Sequence, residues 1–126
     1  MEKLLNDIRR PDISFNRNGD ISITSRVVRM LNISPGDSIN IGHDNNEYFL
    51  YVVRVSENSN AKLCARCCPS KKKGLNFRAR SVTLSRNLLD RIGVVSQKAS
   101  FFVGSLTCIN EVDCLPIITL HPIIHK

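Results

Sequence analysis

The chain has 126 residues, of which 42% are hydrophobic and 23% charged, which suits one globular domain with a single core. The sequence contains no apolar run of about eighteen residues, so we expect no transmembrane helix and no membrane association. Residues 1–10 lack the apolar segment of a secretory signal, and the expected compartment is therefore the cytoplasm.

The net charge of +7 is unevenly distributed along the chain. Residues 1–60 contain 7 Lys/Arg and 8 Asp/Glu, whereas residues 61–126 contain 11 Lys/Arg and 3 Asp/Glu. The excess lies between Lys62 and Arg91, where nine basic residues accompany only Asp90. Clustered charge of one sign attracts polyanions. This segment is therefore either a nucleic-acid-binding face or an ordinary solvated surface.

The five cysteines predict neither a disulfide framework nor a metal site. An odd number in a chain without a secretory signal argues against structural disulfides. Cys64 and Cys67 have zinc-like spacing, but no second pair of ligands follows them. We therefore expect reduced, metal-free cysteines that behave as small apolar side chains, and no cofactor. The five are Cys64, Cys67, Cys68, Cys108 and Cys114.

The pattern of apolar residues and turn formers predicts a chain of mainly β structure with short helices. Residues 1–10 are expected to form a short amphipathic helix that ends at Pro11. Later helices are expected after capping residues, the first after Thr24 or Ser25 and the second after Ser85. Strands are predicted at residues 13–15, 21–23, 39–41, 47–53, 61–67, 75–84, 99–103 and 114–120. Turns are predicted at Asn16–Gly19, Ser34–Asp37 and His43–Asn46.

Residues 21–33 and 82–94 match in physical class at every informative position, with an offset of 61 positions and no gap. The paired residues serve the same expected roles: strand-face positions, an apolar helix side, a capping hydroxyl and a left-handed helix terminator. Agreement of such independent constraints favours an internal repeat over coincidence between two ordinary strand–helix junctions. The pairs are Ile21/Val82, Ile23/Leu84, Thr24/Ser85, Val27/Leu88, Val28/Leu89, Leu31/Ile92, Asn32/Gly93 and Ile33/Val94.

The repeat predicts two β-β-α-β-β units, at about residues 11–55 and 61–120, within one domain spanning residues 1–126. A unit of this size buries too little apolar surface to be stable alone. We therefore expect the two units to complete a shared core as an intrachain pseudo-dimer related by an approximate two-fold axis.

The first unit resembles a known family over about forty residues. Its most specific feature is Gly36-Asp37, placed between two alternating apolar patterns. The residues that carry the resemblance are Asn18-Gly19-Asp20-Ile21-Ser22-Ile23, Val27, Leu31, Ile33, Pro35-Gly36-Asp37, Ile39 and Ile41. Residues 13–53 resemble the AbrB-type domain of bacterial transition-state regulators and antitoxins. The chain departs from that family at Thr24 and Asn32, where the family has proline and glycine, and the second unit has Gln97-Lys98 in place of Gly-Asp.

The resemblance implies a swapped-hairpin, double-psi-like barrel, which two separate chains build in the family. Here both units lie in one chain, so a monomer is expected. The implied function is that of a DNA-binding transcriptional regulator or an antitoxin-like module. Because one fold hosts many functions, a non-enzymatic protein-interaction or scaffold module that binds no DNA is the alternative.

Duplex DNA is the partner that the resemblance implies, and the basic residues supply candidate contacts. Arginine suits bidentate readout of guanine, and lysine supplies simple charge to phosphates. The alternative for each residue is a solvated surface cation. The candidate contacts are Arg17, Arg26, Arg29, Lys71, Lys72, Lys73, Arg78 and Arg80.

The sequence contains no motif of a known catalytic class, and we expect no enzymatic activity. His43 and Asp44 form a potential acid–base pair, but they lie in a polar turn, where solvent keeps pKa values ordinary. His121 and His125 are best explained as residues of a short C-terminal segment.

Overall fold

The computed structural model describes residues 10–54, 65–70 and 76–125. Within these ranges the chain is mainly β with two short helices, which confirms the predicted class. The elements are β1 (Ile13–Asn16), β2 (Asp20–Ile23), α1 (Ser25–Leu31), β3 (Ser38–Asp44), β4 (Glu47–Val53), β5 (Ala65–Arg66), β6 (Cys68–Pro69), β7 (Phe77–Arg80), α2 (Val82–Arg91), β8 (Lys98–Val103), β9 (Thr107–Ile109) and β10 (Val112–His125).

The strands form one antiparallel sheet in the order β5-β3-β4-β10-β8-β1-β2-β7-β6, with β9 paired to β10. The first and last members of this series, β5 and β6, are separated only by Cys67. β5 pairs with β3, and β6 pairs with β7. A single short stretch of chain therefore connects the two ends of the sheet, which becomes a nearly closed barrel and leaves few free strand edges.

Pairs of adjacent strands from the first and second halves of the chain alternate around this barrel. Ser14 of β1 pairs with Ser100 of β8, and Ser22 of β2 pairs with Arg78 of β7. The second-half strands β5 and β10 likewise pair with the first-half strands β3 and β4. When β1, β2, β3 and β4 are matched with β5–β6, β7, β8 and β10, the order of pairing is the same after each strand is exchanged for its counterpart. Neither half therefore contains a complete set of partners for its own strands.

The core is built from alternating strand positions and from one side of each helix. Phe15 and Phe101, both fully buried, meet edge to face with ring centroids 5.9 Å apart. Val27 and Leu31 of α1 are buried, as are Leu88 and Leu89 of α2, as their helical spacing predicts. Full burial of one such side chain stabilises the fold by about 1.5–3 kcal/mol.

Both helices end in the same way. Asn32 and Gly93 adopt left-handed backbone conformations, with φ of 53° and 82°. The N–H of the next residue then bonds back into the helix, at 3.0 Å from Ile33 to the Val28 oxygen and at 2.9 Å from Val94 to the Leu89 oxygen. This is the Schellman arrangement, in which a left-handed residue turns the chain back over the last carbonyls. The predicted terminators are confirmed.

The start of the second helix differs from the prediction. Ser81 occupies the N-cap, and its side chain accepts a hydrogen bond from the Leu84 N–H at 3.1 Å. Ser85 instead lies buried inside the helix. The predicted strand 75–84 therefore ends at Arg80. Leu84 continues the alternation of apolar and polar residues along the sequence but already belongs to the first turn of α2. α2 has ten residues against seven in α1, so the offset of 61 holds for the left-handed residues after the helices, Asn32 and Gly93, and fails at the helix starts.

The three predicted turns are present. Gly19 and Gly36 have φ of 104° and 91°, and the Asp37 N–H donates to the Ser34 oxygen at 3.0 Å, closing the Ser34–Asp37 turn. Asn45-Asn46, with φ of 49° and 64°, forms the β3–β4 turn, which suits the left-handed tolerance of asparagine.

Two predicted segments lie outside the described residues: the helix at residues 1–10, except for Arg10, and the first part of the strand at 61–67. In the described ranges, neither helix has the length and apolar character needed to cross a membrane.

Candidate nucleic-acid interface

The eight cations predicted to contact DNA fall into three groups. Arg17 and Arg26 bind acidic or carbonyl oxygens of the chain itself. Arg29, Arg78 and Arg80 are exposed. The three consecutive lysines belong to residues 71–75, which lie outside the described residues.

Arg17 closes the C-terminal end of α2. Its Nη1 lies 2.8 Å from the Asp90 carboxylate, its Nε donates to the Ser96 oxygen at 3.0 Å, and its Nη2 donates to the Val94 oxygen. Only 19% of its side chain is exposed. A cation at this position also interacts favourably with the helix dipole. Arg17 is therefore a structural residue, with few N–H groups left for a phosphate.

Arg26 compensates a buried carboxylate. Its Nη1 lies 3.1 Å from Asp12 Oδ1, and the Asp12 side chain is only 3% exposed. The second oxygen of Asp12 accepts the Val103 N–H at 2.9 Å. A buried charge is tolerated only when it is paired and hydrogen-bonded. Arg26 therefore ties the first helix to the barrel, although part of its guanidinium remains accessible.

Arg54 closes the C-terminal end of α1, as Arg17 closes that of α2. No local sequence pattern indicates this role. Its guanidinium donates to the Leu31 oxygen at 3.1 Å and to the Asn32 oxygen, and it pairs with Asp37 at 2.9 Å. The side chain of Asp37 is 3% exposed and also accepts the Ser34 N–H at 2.9 Å. Each helix C-terminus thus has its own arginine, supplied by a distant segment.

Two of the exposed arginines, Arg78 and Arg80, lie together on the outer face of β7. Arg78 and Arg80 alternate with buried Phe77 and Ala79, and their side chains are 58% and 64% exposed. The Asp20 carboxylate lies 2.7 Å from Arg80 and 4.0 Å from Arg78. One acid between two arginines leaves this outer face with a net positive charge.

A shallow groove of about 460 Å³ runs beside these arginines across β8, β1, β2 and β7. Its floor contains small hydroxyl side chains, because Ser14 and Ser22 are direct partners across β1 and β2. Lys98 lies at one side, and its side-chain ammonium makes no hydrogen bond or ion pair to the described part of the chain. The lining residues are Ile13, Ser14, Asn16, Asp20, Ser22, Ile23, Thr24, Ser70, Asn76, Phe77, Arg78 and Lys98.

The cations and serine hydroxyls of the groove are suited to an anionic ligand that accepts hydrogen bonds. The Ser14 and Ser100 hydroxyls lie 2.6 Å apart, so one of them donates to the other. Hydroxyl and guanidinium donors are the groups that bind phosphate oxygens in protein–DNA interfaces. Small side chains also allow a ligand to approach the sheet closely.

The two described residues that flank residues 71–75 lie at this groove. Ser70 and Asn76 both line it, and the Ser70 N–H donates to the Asn76 oxygen at 2.9 Å. Lys71, Lys72 and Lys73 follow Ser70 directly in the sequence. The described residues nearest to the three lysines in the sequence, Ser70 and Asn76, therefore both lie at the groove.

The cysteines of the described ranges form no metal-binding cluster. Cys67 is buried and Cys68 exposed, as expected for neighbours on opposite faces of an extended chain. Burial, with Asp37 and Cys68 nearby, raises the pKa of the Cys67 thiol to about 12. Cys64 lies outside the described residues, and within them no group of three or more His, Cys, Asp or Glu side chains is arranged to hold a metal ion.

No protein-family model matches this chain, and neither a curated protein nor a solved structure matches it. The resemblance to the AbrB-type domain therefore depends on the motif residues of the first unit.

Proposed function

We propose that this chain is a DNA-binding regulator or antitoxin-like module of the AbrB type, and that it holds the DNA backbone against the outer face of β7 and the adjacent groove. The observation that carries the proposal is the combination of Arg78 and Lys98 around a floor of serine hydroxyls, with the exposed Arg80 two residues from Arg78 on β7. Phosphate contacts of this kind supply most of the affinity of a DNA-binding protein.

The barrel itself is part of the same proposal. We infer a swapped-hairpin, double-psi-like barrel in which the two units act as a fused dimer. The exchange of strand partners, with β1 on β8 and β5 on β3, supports this inference. A fused dimer has two halves that are free to diverge, so the target need not be a perfect palindrome.

The contact residues differ from the full predicted set. Arg78 and Arg80 remain primary candidates, and the lysines of residues 71–73 stay in the set. Arg29 is an exposed secondary candidate on α1. Arg17 is removed from the set, because its guanidinium is occupied at the end of α2.

Fluorescence anisotropy with a mixed-sequence labelled duplex, at about 50 and 200 mM salt, tests the proposal. The wild-type chain should bind with a dissociation constant below about 10⁻⁴ M at physiological salt, the upper end of ordinary non-specific attraction. Replacing both β7 arginines, Arg78→Ala with Arg80→Ala, should weaken binding at both salt concentrations.

Arg91→Ala is the matched control, because it removes one exposed positive charge from α2, away from the groove. If the control weakens binding as much as Arg78→Ala alone, net charge rather than this face governs binding. Absence of binding by the wild-type chain at low salt would refute the DNA proposal.

A specific observation favours the protein-interaction alternative. The last part of β10 exposes several apolar side chains, and Leu120 is 84% exposed. Concentrated exposed apolar surface is typical of a protein contact. The same sequence segment contains the exposed residues Ile118, Leu120, Ile123 and Ile124.

A further inference from the structure

A second groove lies between α2 and the β3–β4 hairpin, separate from the proposed DNA face. It has a volume of about 330 Å³ and continues into a neighbouring space of about 180 Å³, with which it shares Asn40, Leu84 and Asn87. The first space is lined by Asn40, Ile41, His43, Tyr48, Leu84, Asn87, Leu88 and Arg91.

The walls of this groove are firmly supported. Ile41, Tyr48 and Leu84 pack against the hydrophobic core, and Leu88 is buried within it. Tyr48 also stacks on His43, its direct cross-strand partner, with ring centroids 4.8 Å apart and planes 26° apart. The groove therefore presents a preformed apolar wall, which lowers the entropy cost of binding.

One end of the groove carries a cation that has no partner among the described residues. Arg91 is the last residue of α2 and is exposed, and its guanidinium makes no hydrogen bond or ion pair within the described ranges. Its neighbour Asp90 is occupied by Arg17. The end of the groove thus offers five N–H donors in a fixed planar arrangement, which matches a carboxylate.

The middle of the groove offers amide groups. Asn40 donates to the Tyr51 hydroxyl at 3.1 Å and accepts from the Ile41 N–H at 2.8 Å, which leaves one N–H and one lone pair unused. Asn87 is exposed, and its side-chain amide makes no hydrogen bond to the described residues. Amides that both donate and accept are suited to the N–H and C=O groups of a peptide backbone.

We propose that this groove binds a short extended peptide of a partner protein that has an apolar side chain followed or preceded by an acidic one. The apolar side chain lies against Leu84 and Leu88, the carboxylate pairs with Arg91, and the backbone contacts Asn87. A single cation gives a polyanion such as nucleic acid little advantage here, whereas one carboxylate satisfies it.

The dimensions agree with a peptide of four or five residues. The stretch of chain from Ser81 to Arg91 lines the two connected spaces and, at about 1.5 Å per residue, spans about 15 Å. An extended peptide advances about 3.3 Å per residue. Peptide binding at this groove does not depend on DNA binding, because the two grooves share no lining residue.

The test is an NMR titration of the full ¹⁵N-labelled chain with four peptides. Two are acetyl-Ala-Leu-Ala-Asp-amide and acetyl-Asp-Ala-Leu-Ala-amide, and two carry Asn in place of Asp. Shifts should concentrate at residues 40–48 and 84–91 for at least one acidic peptide. Its asparagine counterpart should bind about fivefold or more weakly, a difference of about 1 kcal/mol.

Two substitutions test whether Arg91 recognises the carboxylate of the peptide. Arg91→Ala should remove the preference for Asp over Asn while leaving the remaining spectrum unchanged, and Arg78→Ala should leave that preference intact. The proposal is overturned if the acidic and neutral peptides bind equally, if neither acidic peptide binds at millimolar concentration, or if a short single-stranded oligonucleotide shifts these residues more strongly than the peptides do.

Discussion

Asn76 caps a helix that belongs to the other half of the chain, because its side-chain Oδ1 accepts a hydrogen bond from the Ser25 N–H at 2.9 Å. Thr24, which occupies the N-cap position of α1, makes no side-chain cap hydrogen bond. Its hydroxyl instead donates to the Asp12 oxygen at 3.0 Å. The start of the first helix therefore depends on a residue that the sequence places fifty-one positions later.

Replacement of the capping amide should destabilise the protein. We expect Asn76→Ala to lower the free energy of unfolding by about 1 kcal/mol, the usual loss for a helix cap. Asn76→Asp should retain most of the stability, since a carboxylate also accepts the N–H and suits a helix N-terminus. Urea denaturation followed by circular dichroism measures both. Asn87→Ala, at an exposed helical position, is the control and should change little; equal stability of Asn76→Ala and wild type would contradict the assignment.

Each half expressed alone should fail to fold. Residues 1–60 would lack β8, the partner of β1, and β7, the partner of β2. Residues 61–126 would lack β3 and β4. Unpaired backbone groups and an incomplete core then outweigh the remaining contacts. Circular dichroism and proton NMR of each half should show an unfolded or aggregated chain, whereas an equimolar mixture regains structure if the halves associate. A cooperatively folded isolated half would disprove this.

Arg17→Ala should lower the stability more than the substitution of an exposed arginine does. The substitution removes the ion pair to Asp90 and leaves the Val94 and Ser96 carbonyls without their donor. Because hydrogen bonds from charged donors contribute about 1.5–3 kcal/mol, we expect a loss of about 2 kcal/mol in urea unfolding. Arg80→Ala, which removes an exposed ion pair, should lose less than about 1 kcal/mol. A ranking in the opposite order would mean that the Arg17 side chain contributes little.

The sequence predicted those features that depend on neighbouring residues. The left-handed conformations of Asn32 and Gly93 and the Ser34–Asp37 turn follow from local backbone sterics, and the strand alternation follows from the need to bury one face. The predicted start of α2 was wrong because two capping hydroxyls, Ser81 and Ser85, precede the same apolar residues. Only the ending of the preceding strand at Arg80 decides between them.

Contacts between distant segments could not be predicted in this way. Arg54 and Asn76 have no local sequence signal, since their acceptors and donors come from a helix in another part of the chain. For the same reason Arg17 was predicted to contact DNA: its basic character is visible in the sequence, but the carbonyls that occupy it are not. The charge of a residue thus indicates a candidate, and its partners decide the role.

The thiol of Cys67 should make stability fall at alkaline pH. Its pKa is raised to about 12 in the folded chain, against about 8.5–9 when unfolded. The folded state therefore binds this proton more tightly, and the resulting stability is fully present below about pH 9 and disappears as the pH rises towards 12. The slope reaches at most about 1.4 kcal/mol per pH unit. Urea unfolding between pH 8 and 11 should show a flatter pH profile for Cys67→Ala.

Burial of Cys67 also determines the reactivity of its thiol. The thiolate is the nucleophile and the metal ligand, so Cys67 in the native protein should resist Ellman's reagent at pH 8, whereas exposed Cys68 and Cys108 react. Purified protein should contain no stoichiometric zinc. Rapid modification of Cys67 under native conditions, or one zinc ion per chain, would contradict the protonated, buried thiol. Cys68→Ala serves as the matched variant for assigning the labelled sites by mass spectrometry.

The lysines of residues 71–73 should contribute to DNA affinity without contributing to sequence preference. The residues that flank the segment, Ser70 and Asn76, both line the groove beside Arg78, and under the proposed function we expect the lysines to contribute charge to the same DNA contact. If each lysine binds one phosphate, the triple alanine variant should reduce the slope of log K against log salt by about 0.9 for every phosphate that is no longer neutralised. The decrease in affinity should be similar for unrelated duplexes, because phosphate contacts carry no base information. Arg91→Ala again controls for a general reduction of charge. A triple variant with unchanged affinity would identify the lysines as a solvated surface and would favour the protein-interaction function.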